Sequence, residues 1–491
     1  MKDIVCAIDI GTSRIKVALI DSEGKIETLS TEPVPGETQG DMAFYFDPEA
    51  YFLEICNLIR RTFEKSKEKN VIALCITNQR ATIIPAGKDG YAVGPALSWQ
   101  DTRCGTEVEK FMQIFDAKNF RKITGLPPST LWSLGKILWL KEKEPHCFKS
   151  ASKFVLLHDY ILHRMGTEDF ITDFSNASLT GLLDLQKLSW SDEILNVAGI
   201  KSSNLSNIIP AGTRTGMLNS NIAEKTGLKQ GIPLITGGGD QQCATLGAGV
   251  IKKGQASLCL GTAAVLSCPV TSPIIDTERH LFCTCHVIPG FWVIEGIHNT
   301  FGSSISWSGN IAGITSQEEW KNITGNISLG EGKIFFLPFL DGIGSPDFDS
   351  LTKGAFLNLS LSHSRSDIIR SVMEGIVMEL RRIIDEIDSY VKIRELIITG
   401  GYSGENIMNQ FLADITGRPI LLSRNMEDTL SGTGILAWKG LGIDIKERFT
   451  INEMECIYPS KSEYLENLYR LYCERVKIIR DMNRVDQREV N

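Results

Sequence analysis

One pattern occurs twice in the amino-acid sequence and limits the fold more than any other. A short apolar strand runs into a turn of glycine and hydroxyl residues, and a second apolar strand leaves it. Residues 3–9 and 15–20 read as strands around Ile10-Gly11-Thr12-Ser13-Arg14, and residues 257–260 and 265–268 around Gly261-Thr262-Ala263. After the first turn come a third strand over 25–34, a helix over 50–65 and a compact strand over 71–77. Phe52, Ile55, Cys56, Ile59 and Phe63 share one face of that helix. After the second come a strand over 291–296, a long helix over 367–390 and a strand over 395–399. The loop Gly400-Gly401-Tyr402-Ser403-Gly404 and a helix over 406–416 follow. This order predicts two related α/β halves with mixed sheets, joined near residue 250. Between them, residues 210–231 read as loop, and a short strand over 233–236 runs into Gly237-Gly238-Gly239-Asp240. Residues 462–484 carry helical spacing and end in a charged terminus.

Composition narrows the class further. The chain has 491 residues, 42% hydrophobic and 22% charged, which are the proportions of a globular protein of two or three domains. The net charge of −8 predicts no nucleic-acid partner. The apolar N-terminus is interrupted by Asp3 and Asp9, and the uncharged run over 254–275 holds Gly261 and two prolines. No membrane segment is expected, and the expected location is the cytoplasm. Twelve cysteines without a CxxC pair suit a reducing compartment. His280, Cys283, Cys285 and His286 resemble a metal cluster in composition only. Cys283 and Cys285, two apart in a strand-like stretch, share a face as core residues do.

The glycine turns carry the chemistry. A strand ending in small residues lets a ligand reach backbone N–H groups, and Thr12, Ser13 and Thr262 add hydroxyl donors. Single turns of this kind are ordinary, but three of them in two α/β halves predict a nucleotide held in a cleft. Neither GxxxxGK[ST] nor GxGxxG is present, which excludes those two nucleotide sites. Asp9 ends the first strand and Asp240 follows three glycines. Carboxylates beside phosphate loops repel a nucleotide unless a cation lies between, and Mg²⁺ takes one or two carboxylates plus phosphates and water. A carboxylate against an acceptor hydroxyl can also take its proton during phosphoryl transfer.

These residues also carry a resemblance. Asp9-Ile10-Gly11-Thr12-Ser13, Asn78-Gln79-Arg80, Trp99-Gln100-Asp101 and Gly239-Asp240-Gln241-Gln242 resemble the FGGY carbohydrate kinase family, its glycerol kinases in particular. Ser133 to Leu140 is similar to the family's first signature, and Gly354-Ala355-Phe356 through Glu374 to its second. The matches run in order from Asp9 to about Trp438. The resemblance implies two ribonuclease-H-like domains, as in actin and hexokinase, flanking a catalytic cleft. Residues 1–248 would bind the sugar and hold the catalytic acid, residues 249–445 would bind the nucleotide, and residues 446–491 would form a helical tail packed on the second domain. It implies ATP and Mg²⁺ as cofactors and a small sugar or polyol as partner, a ketose such as xylulose or a glycerol-like polyol, with a homodimer as the assembly to consider.

By the same resemblance Asp240 is the general base, and Asp9 and Asp240 are the metal residues. Arg80, Ala81, Trp99, Leu131, Asp240 and Gln241 surround the acceptor. Gly11, Thr12, Ser13, Gly261, Thr262, Gly302, Ser306, Gly401 and Glu405 line the nucleotide. The departures bear on substrate. Glycerol kinases have Glu at position 81 and Tyr at position 131, where this chain has Ala81 and Leu131. Both lost groups would hydrogen-bond substrate hydroxyls, so glycerol is expected to be a poor acceptor. Ser306, Asn358 and Glu405 also depart from the family pattern, on the nucleotide side. An actin-like ATPase that switches partners and a noncatalytic sugar sensor are the competing readings. Arg80 and Gln241 beside the acid argue against the first, and retention of both aspartates against the second.

Overall fold

The structure, a computed structural model, describes residues 2–36, 38–40, 42–275, 281–349, 351–423, 427–443, 454–460 and 462–490. Two sheets dominate it. The first has six strands in the order Arg214–Met217, Pro233–Gly239, Asn70–Asn78, Asp3–Ile10, Arg14–Asp21 and Ile26–Pro33. The second has seven: Phe282–Cys285, Trp292–His298, Ala264–Val270, Gln255–Leu260, Glu395–Thr399, Ile420–Leu422 and Glu455–Ile457. Each contains the same plan. Asp3–Ile10, Arg14–Asp21 and Ile26–Pro33 in the first, and Gln255–Leu260, Ala264–Val270 and Trp292–His298 in the second, join by two antiparallel pairings, and two parallel pairings extend each from its leading strand. The halves are thus related by strand order, although their sequences differ.

Local chemistry explains the main helices. Pro48–Glu64 starts with proline in its first turn, is capped by Asp47 and buries Tyr51, Phe52, Ile55 and Ile59 against the first sheet. Arg365–Asp388 begins with a reciprocal cap between Ser364 and Asp367 and buries Ile369, Val372, Met373, Ile376, Leu380 and Ile383. Leu468, Tyr472 and Val476 of the helix Glu463–Val490 pack into the core of the second half. The halves are joined where Asp240–Gly247 crosses Asp428–Gly440. A Cβ on Gly247 would lie 1.9 Å from the Asp428 carbonyl oxygen, and one on Gly432 the same distance from that of Cys243. Although it follows the second-half strands, Asp428–Gly440 packs Leu430, Ile435, Leu436 and Trp438 against Val5, Ala18 and Ile235 of the first sheet.

Two stretches differ from expectation. The strand read as ending at 236 continues through Gly239, because Gly237 lies flush on its neighbour: a Cβ there would sit 1.9 Å from the Ile76 carbonyl oxygen. The stretch read as loop over 210–231 holds the edge strand Arg214–Met217 and the helix Ser220–Thr226. Neither shows a hydrophobic period, since the edge strand is half-exposed and the helix buries only one short face. Cys283 and Cys285 are buried with Ala177, Leu183 and Leu185, as core residues, while His280 lies outside the described residues.

Candidate active site

The two sheets bring their loops together at the carboxyl ends of parallel strands, where open α/β sheets bind ligands. In the first half Ile10 pairs with Asn78, and Asn78 with Gly239, so three adjacent parallel strands end level with one another. Asp9 and Gly11 come from one, Gln79 and Arg80 from the middle, and Asp240 from the third. Strands lie ~4.8 Å apart, so the two acids start from backbones about 10 Å apart. In the second half Cys259 pairs with Thr399, which sets the turns at Gly261 and Gly400 side by side. Between the halves lies a cavity of about 550 Å³. Its walls include Thr12, Ser13, Gln79, Arg80, Ala81, Trp99, Leu131, Asp240 and Gln241 from the first half, and Gly261, Thr262, Phe282, Ile297, Asn299 and Phe348 from the second.

The acids are in contrasting settings. Asp9 is 8% exposed, and its Oδ1 has no hydrogen-bond partner among the described residues. Burial first, and the Asp240 charge second, push its carboxyl up to about 7, against the pull of Lys16. Lys16 cannot neutralise it alone, because its Nζ is 2.6 Å from Glu427 Oε2. Asp240 opens the helix Asp240–Gly247, with its side chain 27% exposed to the cleft. Burial raises its carboxyl above the ordinary range, and Arg80 acts in the opposite sense, with Nε 3.8 Å from Oδ1.

Arg80 is fixed by a residue that sequence reasoning missed. Its Nη2 and Nη1 donate to Oε1 and Oε2 of Glu295 at 3.0 and 3.3 Å. Glu295 is fully buried on the strand Trp292–His298 and also accepts from Thr284 Oγ1 at 2.7 Å and Gln242 Nε2 at 3.3 Å. Arg80 therefore bridges the halves and leaves Nε toward Asp240. The glycine before Asp240 makes room for it, since a Cβ on Gly239 would lie 2.4 Å from Arg80 Cδ. Thr12 differs from its expected part as a free phosphate donor. Its hydroxyl donates to Gln79 Oε1 at 3.2 Å and accepts from Trp99 Nε1 at 3.1 Å. Among the described residues Gln79 Nε2 is left buried without a partner at the cavity wall, a donor the sequence reading did not assign.

The remaining nucleotide-side residues form a second group beside the cavity. Gly302 N–H donates to the carbonyls of Gly261 and Thr262 at 3.1 and 2.9 Å, and a Cβ there would lie 2.5 Å from both Gly261 O and Tyr402 Cε2. Tyr402 hydroxyl reaches Gly302 O at 3.3 Å and lies 3.4 Å from Ser306 Oγ. Glu405 N–H donates to Tyr402 O, and its carboxyl, raised by burial, has Lys321 and Trp320 for neighbours. A Cβ on Gly401 would meet no atom within 4 Å, so that glycine faces open space.

Two family descriptions match the chain in succession. Residues 4–247 match the N-terminal domain of the FGGY family of carbohydrate kinases, and residues 256–440 its C-terminal domain. The chain belongs to that family. It is a carbohydrate kinase, which transfers a phosphoryl group from ATP to a sugar or polyol. Among relatives of this kinase, the xylulose kinase of Escherichia coli is 27% identical over 418 residues, covering 84% of this chain and 85% of the relative. The glycerol kinase of Thermococcus kodakarensis is 26% identical over 492 residues, covering 97% of each. The crystal structure of gluconate kinase from Lactobacillus acidophilus superposes with a TM-score of 0.91 at 23% identity, covering 98% of both chains. Among the described residues of the kinase, no helix is long and apolar enough to cross a membrane.

Proposed function

We propose that this kinase phosphorylates a primary hydroxyl of a small polyol or ketose, with Asp240 as general base and Asp9 as the anchor for Mg²⁺. The observation that carries this reading is the pair of acids at the carboxyl ends of parallel strands in one sheet, with Asp240 in the wall of a cavity built by both halves. The buried, unpartnered Oδ1 of Asp9 fits a cation, and the electrostatic opposition of Asp240 fits a site in which positive charge stands between them. Bound there, Mg²⁺ would neutralise phosphate charge as the phosphoryl group transfers.

The chain's own groups do the rest. Asp240, held in the first helical turn and flanked by Arg80, takes the proton of the acceptor hydroxyl as its oxygen attacks the γ-phosphorus. Arg80, locked by Glu295, keeps a positive charge beside that carboxylate and ties the base to the second half. Gln79 Nε2 offers a donor to the reacting groups, and Gln241 a second amide. The nucleotide lies along the turns at Gly11, Gly261 and Gly401, with Gly302 packed behind them, and Gly401 offers it open space among the described residues. Approach of the halves excludes water, which would otherwise compete as acceptor. All twelve cysteines are free, which suits a reducing compartment such as the cytoplasm.

Ala81 and Leu131 line the cavity with no polar atoms to offer. Each hydroxyl buried without a partner costs about 1–3 kcal/mol. Glycerol is therefore expected to have a kcat/KM about two orders of magnitude below that of the best acceptor. A coupled ADP-release assay across polyols, ketoses and sugar acids tests the reading. Efficient turnover of one polyol or ketose, with glycerol poor, supports it. Hydrolysis of ATP that no acceptor stimulates would contradict it.

A further inference from the structure

Phe348 stands out in the cavity wall. It is contributed by a second-half loop, yet it packs with the apolar cluster of the first half's acceptor side. Its φ is +44°, a region that bulky side chains rarely enter. Such conformations persist where the surroundings over-determine them, and they concentrate at ligand sites. Here the determinants flank the residue on both sides. Asp347 accepts from Arg382 and, at 2.5 Å, from Arg480 of the C-terminal helix. Asp349 accepts from Leu351 and Thr352 N–H at 3.0 and 3.2 Å, and Arg480 Nε is 3.7 Å from it. Phe348 N–H itself donates to Gly344 O at 2.7 Å. The ring meets Phe282 edge-on at 6.4 Å between centroids.

That ring completes one side of the cavity, formed with Ala81, Trp99, Leu131, Phe282 and Ile297. Of these six side chains only Trp99 carries a polar atom, and its Nε1 already donates to Thr12. Arg80, a cation of the cavity wall, is engaged by Glu295. The polar lining includes Gln79, Gln100, Asp240, Gln241 and Asn299, none of which belongs to the apolar cluster that these six share. An acceptor hydroxyl pressed on the apolar side would lose water and gain no partner there, whereas a methyl or methylene group would lose nothing.

We propose that the preferred acceptor carries an apolar, deoxygenated end that docks against Leu131, Phe282 and Phe348, with Phe348 as the residue that selects it. The proposal rests on the acceptor reading given above and deepens it. An apolar pocket rejects an added hydroxyl by at most about 100-fold, so the expected preference is about 10- to 100-fold.

The test uses matched acceptors: 1,2-propanediol against glycerol, 1,2-butanediol against 1,2,4-butanetriol, and 6-deoxy-D-fructose against D-fructose. Their kcat/KM values are measured for the wild type, Phe348→Leu and Phe348→Asn. Asparagine tolerates positive φ and keeps the loop while making the wall polar. The deoxygenated member should win by about tenfold or more in the wild type and in Phe348→Leu, and by less than about threefold in Phe348→Asn. Equal or better use of the hydroxylated member, or a preference that Phe348→Asn leaves intact, would overturn the proposal. Calorimetric binding of the same pairs, with a non-hydrolysable ATP analogue present, separates this from the kinase reading. Absence of Asp240-dependent ADP release with every acceptor would fail that reading. Tighter binding of the deoxygenated members would still support the present one, and equal or weaker binding would overturn it.

Discussion

The glycine-rich segments of the two halves look alike in sequence and do opposite things. In the first half Gly237, Gly238 and Gly239 have no room: added Cβ atoms would lie 1.9 Å from Ile76 O, 2.3 Å from Val287 Cγ1 and 2.4 Å from Arg80 Cδ. In the second half Cβ atoms on Gly401 and Gly404 would meet none of the described residues within 4 Å. The first set lets a strand and an arginine stem pack tightly, which fixes Asp240. The second leaves space that a ligand can fill. Gly400, directly after the second-half strand, is tight as well, with a Cβ 2.6 Å from Leu260 O, so the open positions of that half are the loop glycines beyond it. The buried acids repeat the contrast. Asp9 in the first half and Glu374 in the second are both pushed up to about 7 by burial. Glu374 Oε1 accepts from the N–H groups of Gly330 and Glu331 at 2.8 and 3.1 Å, whereas Asp9 Oδ1 has no partner. The satisfied acid holds a loop on a helix. The unsatisfied one is the acid proposed to hold Mg²⁺.

The largest effect should come from filling the tight segment. Gly237→Ala places a carbon where only backbone can move, and is expected to cost about 3 kcal/mol or more. Denaturant unfolding measures it, and a loss below 1 kcal/mol would show the packing to be looser than described. Next comes Glu374. Its carboxyl titrates higher folded than unfolded, so ionisation opposes folding, and stability falls as pH rises from about 4.5 to about 7. Glu374→Gln removes that titration. The stability difference should move toward the variant by on the order of 3 kcal/mol between pH 4.5 and 8. A difference independent of pH would refute the assignment.

How much of this was legible in sequence follows the same division. Both glycine turns, the order of strands and the two aspartates rest on local signals, and they could be read directly. The strand reads as stopping at 236 because glycine counts against strand locally, while the close neighbour strand lies over 150 positions earlier. Glu295 gave no signal, since its partner Arg80 is 215 positions away and its own strand reads as plain core. Phe348 sits in a loop whose geometry is set by Arg382 and Arg480 from two distant helices. Gln79 lay within a quoted motif, but its orphaned donor exists only once Thr12 has claimed its oxygen.

Two smaller effects sharpen the contrast between the halves. Asp9→Ala should raise the Mg²⁺ concentration for half-maximal activity by about tenfold or more, with the fold retained. An unchanged Mg²⁺ titration would make Asp9 a structural residue. Gly401→Ala should leave stability within about 0.5 kcal/mol, because the new methyl meets no protein atom. The same variant should raise KM for ATP by about threefold or more, because that methyl enters space kept for the nucleotide. An unaltered KM would mean the vacancy is not used.

The central claim is that Asp240 takes the acceptor's proton, and Asp240→Asn tests it most directly. Asparagine keeps the size and accepts a hydrogen bond but takes no proton at neutral pH. The measurement is acceptor-dependent ADP release by the purified variant, on the best acceptor of the panel, alongside ATP affinity and circular dichroism. The account predicts a native spectrum, ATP affinity within about threefold of wild type, and turnover reduced by about 10²- to 10⁴-fold. Turnover near the wild-type value by a folded variant would contradict it.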